Sequence, residues 1–586
     1  MKTILEQISE IVEKGFESAG YDASYGKVGV SNRPDLCEFQ CNGAMAGAKV
    51  YHKAPLAIAE DVASKLSGDP AFSMITAVAP GFLNIKVSDV FLSGFLNKME
   101  SGDKFAADLP EPEKIIVDYG GPNVAKPLHV GHLRAAIIGE SVKRICRYLG
   151  NEVIGDVHLG DWGLQMGLII TELRARKPDL PYFDENYSGE YPKEAPFTLS
   201  ELEEIYPAAS AKSKEDEAFR DAALEATGQL QRGRRGYRAL WQHIMDVSVP
   251  DLKKNYADLS VDFDWWKGES SVDALIPDMV EDMKKKGFAY ESEGALVVDV
   301  AQESDSKEIP PCMILKSDGA SLYTTTDLAT LLDRRAEFDP DHVIYVVDKR
   351  QEMHFIQVFR CAKKTGVVRE GVKLDFLGFG TMNGKDGKPF KTREGGVMRL
   401  ETLIADIRET MYQKIMDNHE TDPAEAKKTS ETVALAAIKY GDLSNQATKD
   451  YVFDTDKFTS FEGNTGPYIL YTIVRIKSIL GKYTAGGSSI PTKIGSPQND
   501  LEKSLMLELS KFAITIRAAY EEIAPHRICA YIYDVCNAFN RFYHETKILT
   551  EEDAAKKDGW IALLVLTKRI LETCIDLLGF EAPEKM

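Results

Sequence analysis

The sequence predicts an α/β protein centred on a doubly wound parallel sheet, with an α+β domain before it and an all-helical domain after it. Apolar, strand-like runs alternate with helical patterns between residues 113 and about 400, which is typical of parallel strands covered by helices. A polar, proline-rich link precedes this part, and an apolar period of helical spacing dominates the chain after it. Rossmann-type sheets of this kind bind ligands at the carboxyl ends of their strands.

Four short apolar runs predict strands of the central sheet. They are IIVDY, EVIGDV, HVIYVV and LDFLGF, which begin at residues 115, 152, 342 and 374. Two apolar stripes at helical spacing predict packed helices near the C-terminus: Leu505, Leu509, Phe512 and Ile516, and then Ile528, Ile532, Val535 and Phe539.

Domain boundaries follow from these patterns, because a chain of 586 residues is too long for one hydrophobic core. We expect an N-terminal domain over 1–108, the parallel-sheet domain over 113–400, a helical connecting region over 401–460 and a helical domain over 461–586. A loop rich in Pro, Tyr and Glu, followed by charged helices, predicts an insertion into the sheet domain at about 175–300.

Composition limits the class of protein. The 44% hydrophobic and 28% charged residues are those of an ordinary globular protein. No apolar run is long enough to predict a membrane span. The eight cysteines are scattered, which favours a reducing, cytoplasmic setting. We expect a monomer.

The formal net charge of −20 counts against indiscriminate binding of nucleic acid. An RNA partner would have to meet local basic patches, although such a patch is more often a solvated helix face than a docking site. The candidates are Lys143, Arg144 and Arg147; Arg232, Arg234, Arg235 and Arg238; and Arg475, Lys477 and Lys482.

The segment His129-Val130-Gly131-His132 follows the first strand-like run and a turn rich in Gly, Pro and Asn, and it opens a helical pattern. A helix N-terminus favours phosphate through its unsatisfied N–H groups and its dipole. The two imidazoles, three residues apart, share one helix face and can donate to one ligand. Zinc is the alternative ligand, but it would require further ligands that the neighbouring sequence lacks. The segment therefore predicts a nucleotide site.

The run PNVAKPLHVGH around these histidines, followed by HLGDWG at 158–163, resembles the signature of class I aminoacyl-tRNA synthetases and, among them, of the arginyl-tRNA synthetase family. Further motifs that resemble this family follow in order along the chain. They are YTTTD at 323–327, RQEMH at 350–354, GKPFKTREGG at 387–396, FEGNTGPYILY at 461–471 and AFNRFYHE at 538–545.

The resemblance implies a ligase with two reaction steps. It would activate L-arginine with ATP to arginyl-adenylate and pyrophosphate, and then transfer arginine to the terminal ribose of tRNA-Arg. Magnesium would arrive with the nucleotide, so no metal site on the protein is expected. The N-terminal domain would contact tRNA, and the helical C-terminal domain would bind the anticodon.

Such a reaction asks the protein mainly to hold the reactants in line and to offset phosphoryl charge. His129 and His132 suit this catalytic role as donors to the ATP phosphates. Gly131 would admit the adenine face, and Lys126 would reach the phosphates from the preceding turn.

A basic segment, Gly384 to Arg393, occupies the place of the family's KMSKS loop. The usual second lysine falls at Thr392, so Lys388 or Lys391, helped by Arg393, would compensate, and the sequence leaves open which one does. An ordinary β-turn is the alternative interpretation of Lys-Asp-Gly.

A guanidinium presents five donors in one plane, so its pocket should offer matching acceptors. By resemblance, the arginine site comprises Asp118, Asn123, His132, Tyr323, Asp327 and Gln351. His158 would lie near the adenylate. Asp118 departs from the glutamate that many relatives carry there, and a helix N-cap is the alternative role for Asp327.

Two other functions remain open at this stage. One is a different nucleotidyltransferase with the same histidine motif, which the helical C-terminal part and the Tyr323/Asp327 pair argue against. The other is a non-catalytic binding module, which the retained histidines and basic segment do not favour.

Overall fold

The computed structural model describes residues 1–109, 111–317, 319–388, 398–418 and 422–586. Lys391 and Arg393 of the predicted ATP site, and Thr392 between them, therefore lie outside the described residues.

The N-terminal part is an α+β unit, as predicted. Its antiparallel sheet has the strand order β1 (Val28–Val30), β2 (Phe39–Cys41), β4 (Phe82–Val87) and β3 (Phe72–Val78). A capping box of Thr3 and Glu6 starts the first helix. The elements are α1 (Ile4–Ser18), β1 (Val28–Val30), β2 (Phe39–Cys41), α2 (Gly43–Tyr51), α3 (Pro55–Leu66), β3 (Phe72–Val78), β4 (Phe82–Val87) and α4 (Asp89–Glu100).

The parallel-sheet domain follows, with alternating strands and helices. Its elements are β5 (Lys114–Tyr119), α5 (Val130–Tyr148), β6 (Glu152–Leu159), α6 (Leu164–Arg176), α7 (Leu199–Glu215), α8 (Glu217–Gln231), α9 (Arg235–Asp258), β7 (Trp265–Gly268), α10 (Ile276–Lys285), β8 (Ala289–Ser292), β9 (Ala295–Val298), β10 (Cys312–Leu315), α11 (Tyr323–Glu337), β11 (His342–Asp348), α12 (Glu352–Thr365), β12 (Lys373–Phe379) and β13 (Met382–Asn383).

The central sheet has five parallel strands in the order β12-β11-β5-β6-β7. This confirms the predicted doubly wound sheet, and the four predicted strands lie at β5, β6, β11 and β12. Strand β5 is central and buried, which explains its continuous apolar run. After β5 the chain adds β6 on one side of it and later adds β11 on the other side. In sheets of this kind, ligands bind at the carboxyl ends of the strands where the strand order reverses in this way.

The expectation that all of 175–300 lies outside the sheet was wrong. Strand β7 falls within that range and pairs in parallel with β6, from Asp156 opposite Trp265 to Leu159 opposite Gly268. The insertion is therefore shorter than predicted: it comprises helices α7 to α9, which lie in the chain between α6 and β7. The strand was missed because it is a short Trp-Trp-Lys-Gly segment without an apolar run.

The remainder of the chain is almost entirely helical. Its elements are α13 (Leu400–Asn418), α14 (Pro423–Leu443), β14 (Tyr451–Val452), α15 (Thr455–Phe458), α16 (Gly466–Ala485), α17 (Asp500–Ser510), α18 (Phe512–Glu521), α19 (His526–Glu545) and α20 (Ala554–Leu577). The predicted stripes are buried, for example Leu505, Ile516, Ile532 and Phe539. The short strand β14 pairs in parallel with β13, which ties the helical region to the sheet domain.

The helical region also packs on the N-terminal unit. The side-chain amide of Asn97 donates to the Ile494 carbonyl at 2.9 Å and accepts from the Ile494 N–H at 2.9 Å. Ile494 is buried although it lies in a Gly/Ser/Pro-rich connection. Across the described parts of the chain, no helix is both long and apolar enough to cross a membrane.

Candidate active site

The histidine motif forms the first turn of α5, as predicted, at the carboxyl edge of the sheet. His129 is the N-cap residue, and its Nδ1 accepts from the Gly131 N–H at 3.0 Å. His132 Nδ1 accepts from the His129 N–H at 3.1 Å. The two rings lie 3.9 Å apart between centroids. Because each Nδ1 accepts a backbone hydrogen, each neutral ring carries its proton on Nε2 and can donate from there.

Both imidazoles are partly buried, and this keeps them neutral. Burial, helped by the charge of Lys126, lowers the pKa of His129. Burial, together with His129, lowers the pKa of His132 to about 3. A side chain at Gly131 would place its Cβ 2.7 Å from Cε1 of His129, so glycine at this position keeps room for that ring. The pair therefore presents two uncharged N–H donors.

The PNVAK and HLGDW segments cross beside this helix. Asn123 and Gly160 form a parallel bridge, and the Val124 N–H donates to the Gly160 carbonyl at 3.1 Å. A Cβ at Gly160 would lie 2.1 Å from Oδ1 of Asn123, so a larger residue here would displace the Asn123 amide. The predicted arginine-site residue Asn123 is thereby held at the sheet edge, where it is half-buried.

The described residues that flank the basic segment contact the histidine helix on both sides. Before it, the buried guanidinium of Arg134 donates from Nη1 to the Gly380 carbonyl at 2.7 Å, and from Nε to Asp442 at 3.0 Å. After it, the Val130 N–H donates to the Met398 carbonyl at 3.0 Å. The described chain is therefore attached to α5 both before and after this segment, whose predicted residues Lys391 and Arg393 lie outside the described residues.

The described start of the basic segment is a turn. The Gly384 N–H donates to the Lys388 carbonyl at 2.8 Å, and Gly387 has a positive φ of 72°. Lys385 is engaged by Asp454 and Asp456, each 3.0 Å from its Nζ. Lys388 is exposed at the end of the turn. The β-turn that was the alternative interpretation is thus present at the base of this segment.

Lys126 lies close to the histidines but contacts the helices between β6 and β7. Its Nζ sits 4.4 Å from the ring centroid of Tyr206 on α7. Its charge contributes to the lowered pKa of both His129 and His132. Lys126 therefore adds positive charge at the mouth of α5.

Asp118, at the carboxyl end of β5, is already paired within the protein. The buried Arg334 on α11 donates from Nη2 to Asp118, and the same atom lies 2.7 Å from Oδ2 of Asp156 on β6. Arg334 Nη1 also donates to the Tyr345 hydroxyl at 3.0 Å. The Asp118 side chain keeps 12% exposure. The sequence did not indicate this arginine, which only the packing of α11 on the sheet brings under β5.

Asp327 lies in the second turn of α11 and is not an N-cap, so that alternative role is wrong. The helix is preceded by Leu322, whose N–H donates to the Thr325 hydroxyl at 3.0 Å. Asp327 instead accepts from Nε2 of His354 on α12 at 2.6 Å. Tyr323 opens α11 and is 69% exposed.

The two predicted guanidinium acceptors share one neighbour. Burial raises the pKa of the Tyr345 hydroxyl, and Asp118 and Asp327 both lie close enough to raise it further. Gln351 is exposed at the end of the short 3-10 helix Lys349–Gln351, between β11 and α12. Asp118, Asp327 and Gln351 therefore lie at the same edge of the sheet.

The structure adds two acids that the sequence analysis missed. Burial raises the pKa of Glu269 to about 7, and the charges of Asp161 and Asp327 contribute. Asp161 accepts from the Ser270 N–H at 3.0 Å and from the Ser270 hydroxyl at 2.5 Å, which fixes the turn that carries Glu269. No local spacing links Glu269 to Asp327, so only the position of β7 at the sheet edge could reveal their proximity.

His158 lies near the carboxyl end of β6, one strand away from Asp118. Its Nε2 is 3.3 Å from the Thr330 hydroxyl of α11. The contact places its ring between the sheet and α11, close to the buried Arg334–Asp156 pair.

The predicted basic patches fare differently. Lys143 is buried and pairs with Glu140 at 2.8 Å, so the interpretation of this lysine as part of an RNA-docking patch was wrong. In the helical C-terminal part, the Arg475 guanidinium lies 4.8 Å from the ring of Tyr471 and 5.2 Å from that of Tyr543.

Among the described residues, no group of three or more His, Cys, Asp or Glu is arranged to hold a metal ion.

Comparison with known proteins identifies the relatives of this arrangement. Residues 96–455 match the family profile described as "tRNA synthetases class I (R), catalytic domain". Residues 469–586 match the "DALR anticodon binding domain", and residues 2–87 match the "Arginyl tRNA synthetase N terminal domain".

Two curated relatives named "Arginine--tRNA ligase" match over the full length of both chains. The one from Agathobacter rectalis is 64% identical and the one from Alkaliphilus oremlandii is 60% identical, each covering 100% of this chain and of the relative. The crystal structure of arginyl-tRNA synthetase from Plasmodium falciparum aligns with a TM-score of 0.83 at 26% identity, covering 100% of both chains. The Thermus thermophilus arginyl-tRNA synthetase shares the fold, with a TM-score of 0.79 at 22% identity and 100% coverage of both chains.

The parallel sheet, the histidine motif at the mouth of α5 and the profile match define a class I aminoacyl-tRNA synthetase. The full-length identities narrow this further. The chain belongs to the arginyl-tRNA synthetase family.

Proposed function

We propose that this protein is an arginine–tRNA ligase. The carboxylate of L-arginine attacks the α-phosphorus of ATP, which forms arginyl-adenylate and releases pyrophosphate. A hydroxyl of the terminal ribose of tRNA-Arg then attacks the arginyl carbonyl carbon, and AMP leaves. The observation that best supports this proposal is the grouping of Asp118 and Asp327 around Tyr345, at the same sheet edge as the two helix-mouth imidazoles.

The proposed ATP site is built on neutral donors and separate cations. His129 and His132 donate from Nε2 to the phosphates, and the N-terminus of α5 adds its dipole. Gly131 leaves room for the nucleotide beside them. Lys126 supplies positive charge at this end of the site, and ATP enters with Mg²⁺ bound to its phosphates.

The basic segment supplies the remaining positive charge. Lys388 and Lys391, with Arg393, neutralise charge on the β- and γ-phosphates as pyrophosphate leaves. The contacts of the flanking residues support this role, because Met398 bonds to Val130 beside the imidazoles and Gly380 bonds to Arg134 on the same helix.

The proposed arginine site recognises a planar cation. Asp118 and Asp327 accept from the guanidinium, and Tyr323 lies against the side chain. Asn123, His132 and Gln351 hold the amino acid's polar groups, and His158 lies near the adenylate. A neutral analogue such as citrulline is rejected because it cannot make the charge-assisted hydrogen bonds that the guanidinium makes with these two carboxylates.

The proposed tRNA partner spans the other domains. Residues 1–108 contact the tRNA body and residues 461–586 bind the anticodon. Arg475, between Tyr471 and Tyr543, offers a surface on which an unpaired base can stack. We further propose that the protein works as a cytoplasmic monomer.

The test is pyrophosphate exchange into ATP in the presence of tRNA-Arg, with each of the twenty amino acids in turn. We expect exchange with arginine alone. Asp327→Asn should raise the KM for arginine by at least about tenfold, since it removes a charge-assisted acceptor, and should leave the KM for ATP within about twofold.

Asp333→Asn is the matched control, because Asp333 lies on the same helix but pairs with Lys267 at 2.6 Å. It should change neither KM. Exchange supported by an amino acid other than arginine would refute the proposed function. Equal changes in the KM values for arginine and ATP in Asp327→Asn would refute the proposed role of Asp327 in the arginine site.

A further inference from the structure

A His–Asp pair links two helices at the carboxyl edge of the sheet. His354, in the first turn of α12, lies with Nε2 2.6 Å from Oδ2 of Asp327 on α11. The side chains are 26% and 22% exposed, respectively. The pair is therefore neither sealed in the core nor freely solvated, and the proposed function gives a role only to Asp327.

The ring of His354 is backed by rigid aromatic packing. It meets the ring of the buried Phe355 edge-on, with 5.1 Å between centroids and an 86° angle. Phe355 in turn contacts Tyr345, Phe359 and Phe376, with centroid distances of 4.8, 5.6 and 5.5 Å. An imidazole on this platform has little freedom to turn, so the direction of its Nε2 is set by the core.

A hydrogen bond from such a fixed donor restricts the rotation of the Asp327 carboxylate, so the plane of its two oxygens has a defined orientation. The imidazole engages Oδ2 of Asp327 and leaves the other oxygen with unused lone pairs. A guanidinium binds a carboxylate best in a fixed planar geometry, and ordering a free side chain on binding would weaken the complex. Glu269 is a further carboxyl close to Asp327.

We propose that His354 is a positioning residue for arginine recognition, which donates from Nε2 to Asp327 and thereby orients that carboxylate toward the guanidinium of the substrate. This inference rests on the proposed arginine site. It adds a specificity-determining residue that does not itself need to touch arginine.

The competing explanation is that the pair only ties α11 to α12. The protein contains a matched pair for this comparison. His342, the first residue of β11, lies with Nε2 2.7 Å from Oδ2 of Asp375 on β12, at the opposite edge of the same sheet. The His342–Asp375 pair links two strands and contributes to stability, but it lies away from the proposed arginine site.

The test compares two amides at position 354 in the full-length protein. In His354→Gln the amide nitrogen stands where Nε2 was and can still donate to Asp327. In His354→Asn the nitrogen stands at the place of Nδ1 and cannot reach Asp327. Both variants keep a polar, uncharged side chain at a half-exposed position, so both should fold.

We expect His354→Asn to raise the KM for arginine about tenfold while the KM for ATP stays within about twofold, and His354→Gln to recover most of the loss. His342→Asn should lower the melting temperature without a change in either KM. In the double variant with Asp327→Asn, His354→Asn should add nothing further, since both act through one contact.

Three outcomes would overturn the inference. The first is that His354→Asn has an arginine KM no more than about twofold above that of the parent, while Asp327→Asn still raises this KM. That result would refute the role of His354 and leave the proposed arginine site intact. Another is parallel change in the KM values for arginine and ATP. The third is an unchanged arginine KM in Asp327→Asn, which would refute the proposed site together with the inference.

Discussion

Arg334 on α11 donates to Asp118 on β5, so a carboxylate predicted to bind the guanidinium of a ligand is held by a guanidinium of the protein itself. Arg334 is 1% exposed and is shared with Asp156, whose carboxylate lies 2.7 Å away. Two buried carboxylates thus depend on one buried cation. The arrangement lowers the negative charge of the pocket and fixes the direction of Asp118.

Removal of Arg334 should be strongly destabilising. Arg334→Met leaves Asp118 and Asp156 without their cation, and we expect a loss of about 3–5 kcal/mol in the free energy of unfolding. Urea denaturation measures it. The control is Arg527→Met, which breaks a half-exposed pair with Glu522 and should cost less than about 1 kcal/mol. Similar losses in both variants would contradict this account of Arg334.

The donor role of His132 can be separated from its capping role. In His132→Asn the amide oxygen replaces Nδ1 as acceptor for the His129 N–H, but no donor remains at the position of Nε2. We expect kcat for pyrophosphate exchange to fall about 100-fold with the melting temperature preserved. A normal kcat in this variant would exclude a phosphate contact from Nε2.

The same contact should be independent of pH in the neutral range. Because burial lowers the pKa of His132 to about 3, the ring is uncharged throughout pH 6 to 9. The ratio of kcat between the parent protein and His132→Asn should therefore stay constant over this range. A ratio that rises toward pH 6 would show that a charged imidazolium contributes.

Glu269 should make arginine binding sensitive to pH. Burial raises its pKa to about 7, so the carboxyl is largely protonated at pH 6 and ionised at pH 8. A cation in the neighbouring pocket favours the ionised form, so binding should strengthen as pH rises. If proton and arginine exclude each other, the KM for arginine falls about tenfold from pH 6 to 8.

Glu269→Gln provides the check on this assignment, because its amide does not titrate. Its KM for arginine should be nearly constant between pH 6 and 8. An unchanged pH dependence in the variant would assign the titration to another group.

Lys439 should make stability depend on alkaline pH. It is fully buried on α14, where its Nζ donates to the Gly579 carbonyl at 2.7 Å, and burial lowers its pKa from 10.5 to about 7. Between these values the unfolded chain binds a proton that the folded chain does not. Stability from this group therefore rises with pH between about 7 and 10.5, by up to about 1.4 kcal/mol per pH unit.

The measurement is urea denaturation at pH 7, 8 and 9. Lys439→Met should remove this rise, so the difference in free energy of unfolding between parent and variant should change steadily with pH. Lys428→Met, at an exposed position of the same helix, should leave the rise intact. A constant difference for Lys439→Met would mean that Lys439 stays charged in the fold.

Local pattern was sufficient for much of the fold. The apolar runs at β5, β6, β11 and β12 predicted the central sheet because buried parallel strands are continuous in hydrophobicity. The His129–His132 spacing predicted a paired donor site because three-residue spacing places two side chains on one helix face. Strand β7 escaped prediction, since it lies at the sheet edge and carries no comparable run.

The sequence by itself thus determined the class of fold, the nucleotide motif and the candidate carboxylates for binding a guanidinium. Each of these could be predicted from short-range residue spacing or from motifs that resemble a known family. Tertiary structure alone decided what holds those acids. Arg334 meets Asp118 across 216 residues, and His354 meets Asp327 across 27. Such pairs form where helices pack on a sheet edge, and no local period records which side chains that packing brings within hydrogen-bonding distance.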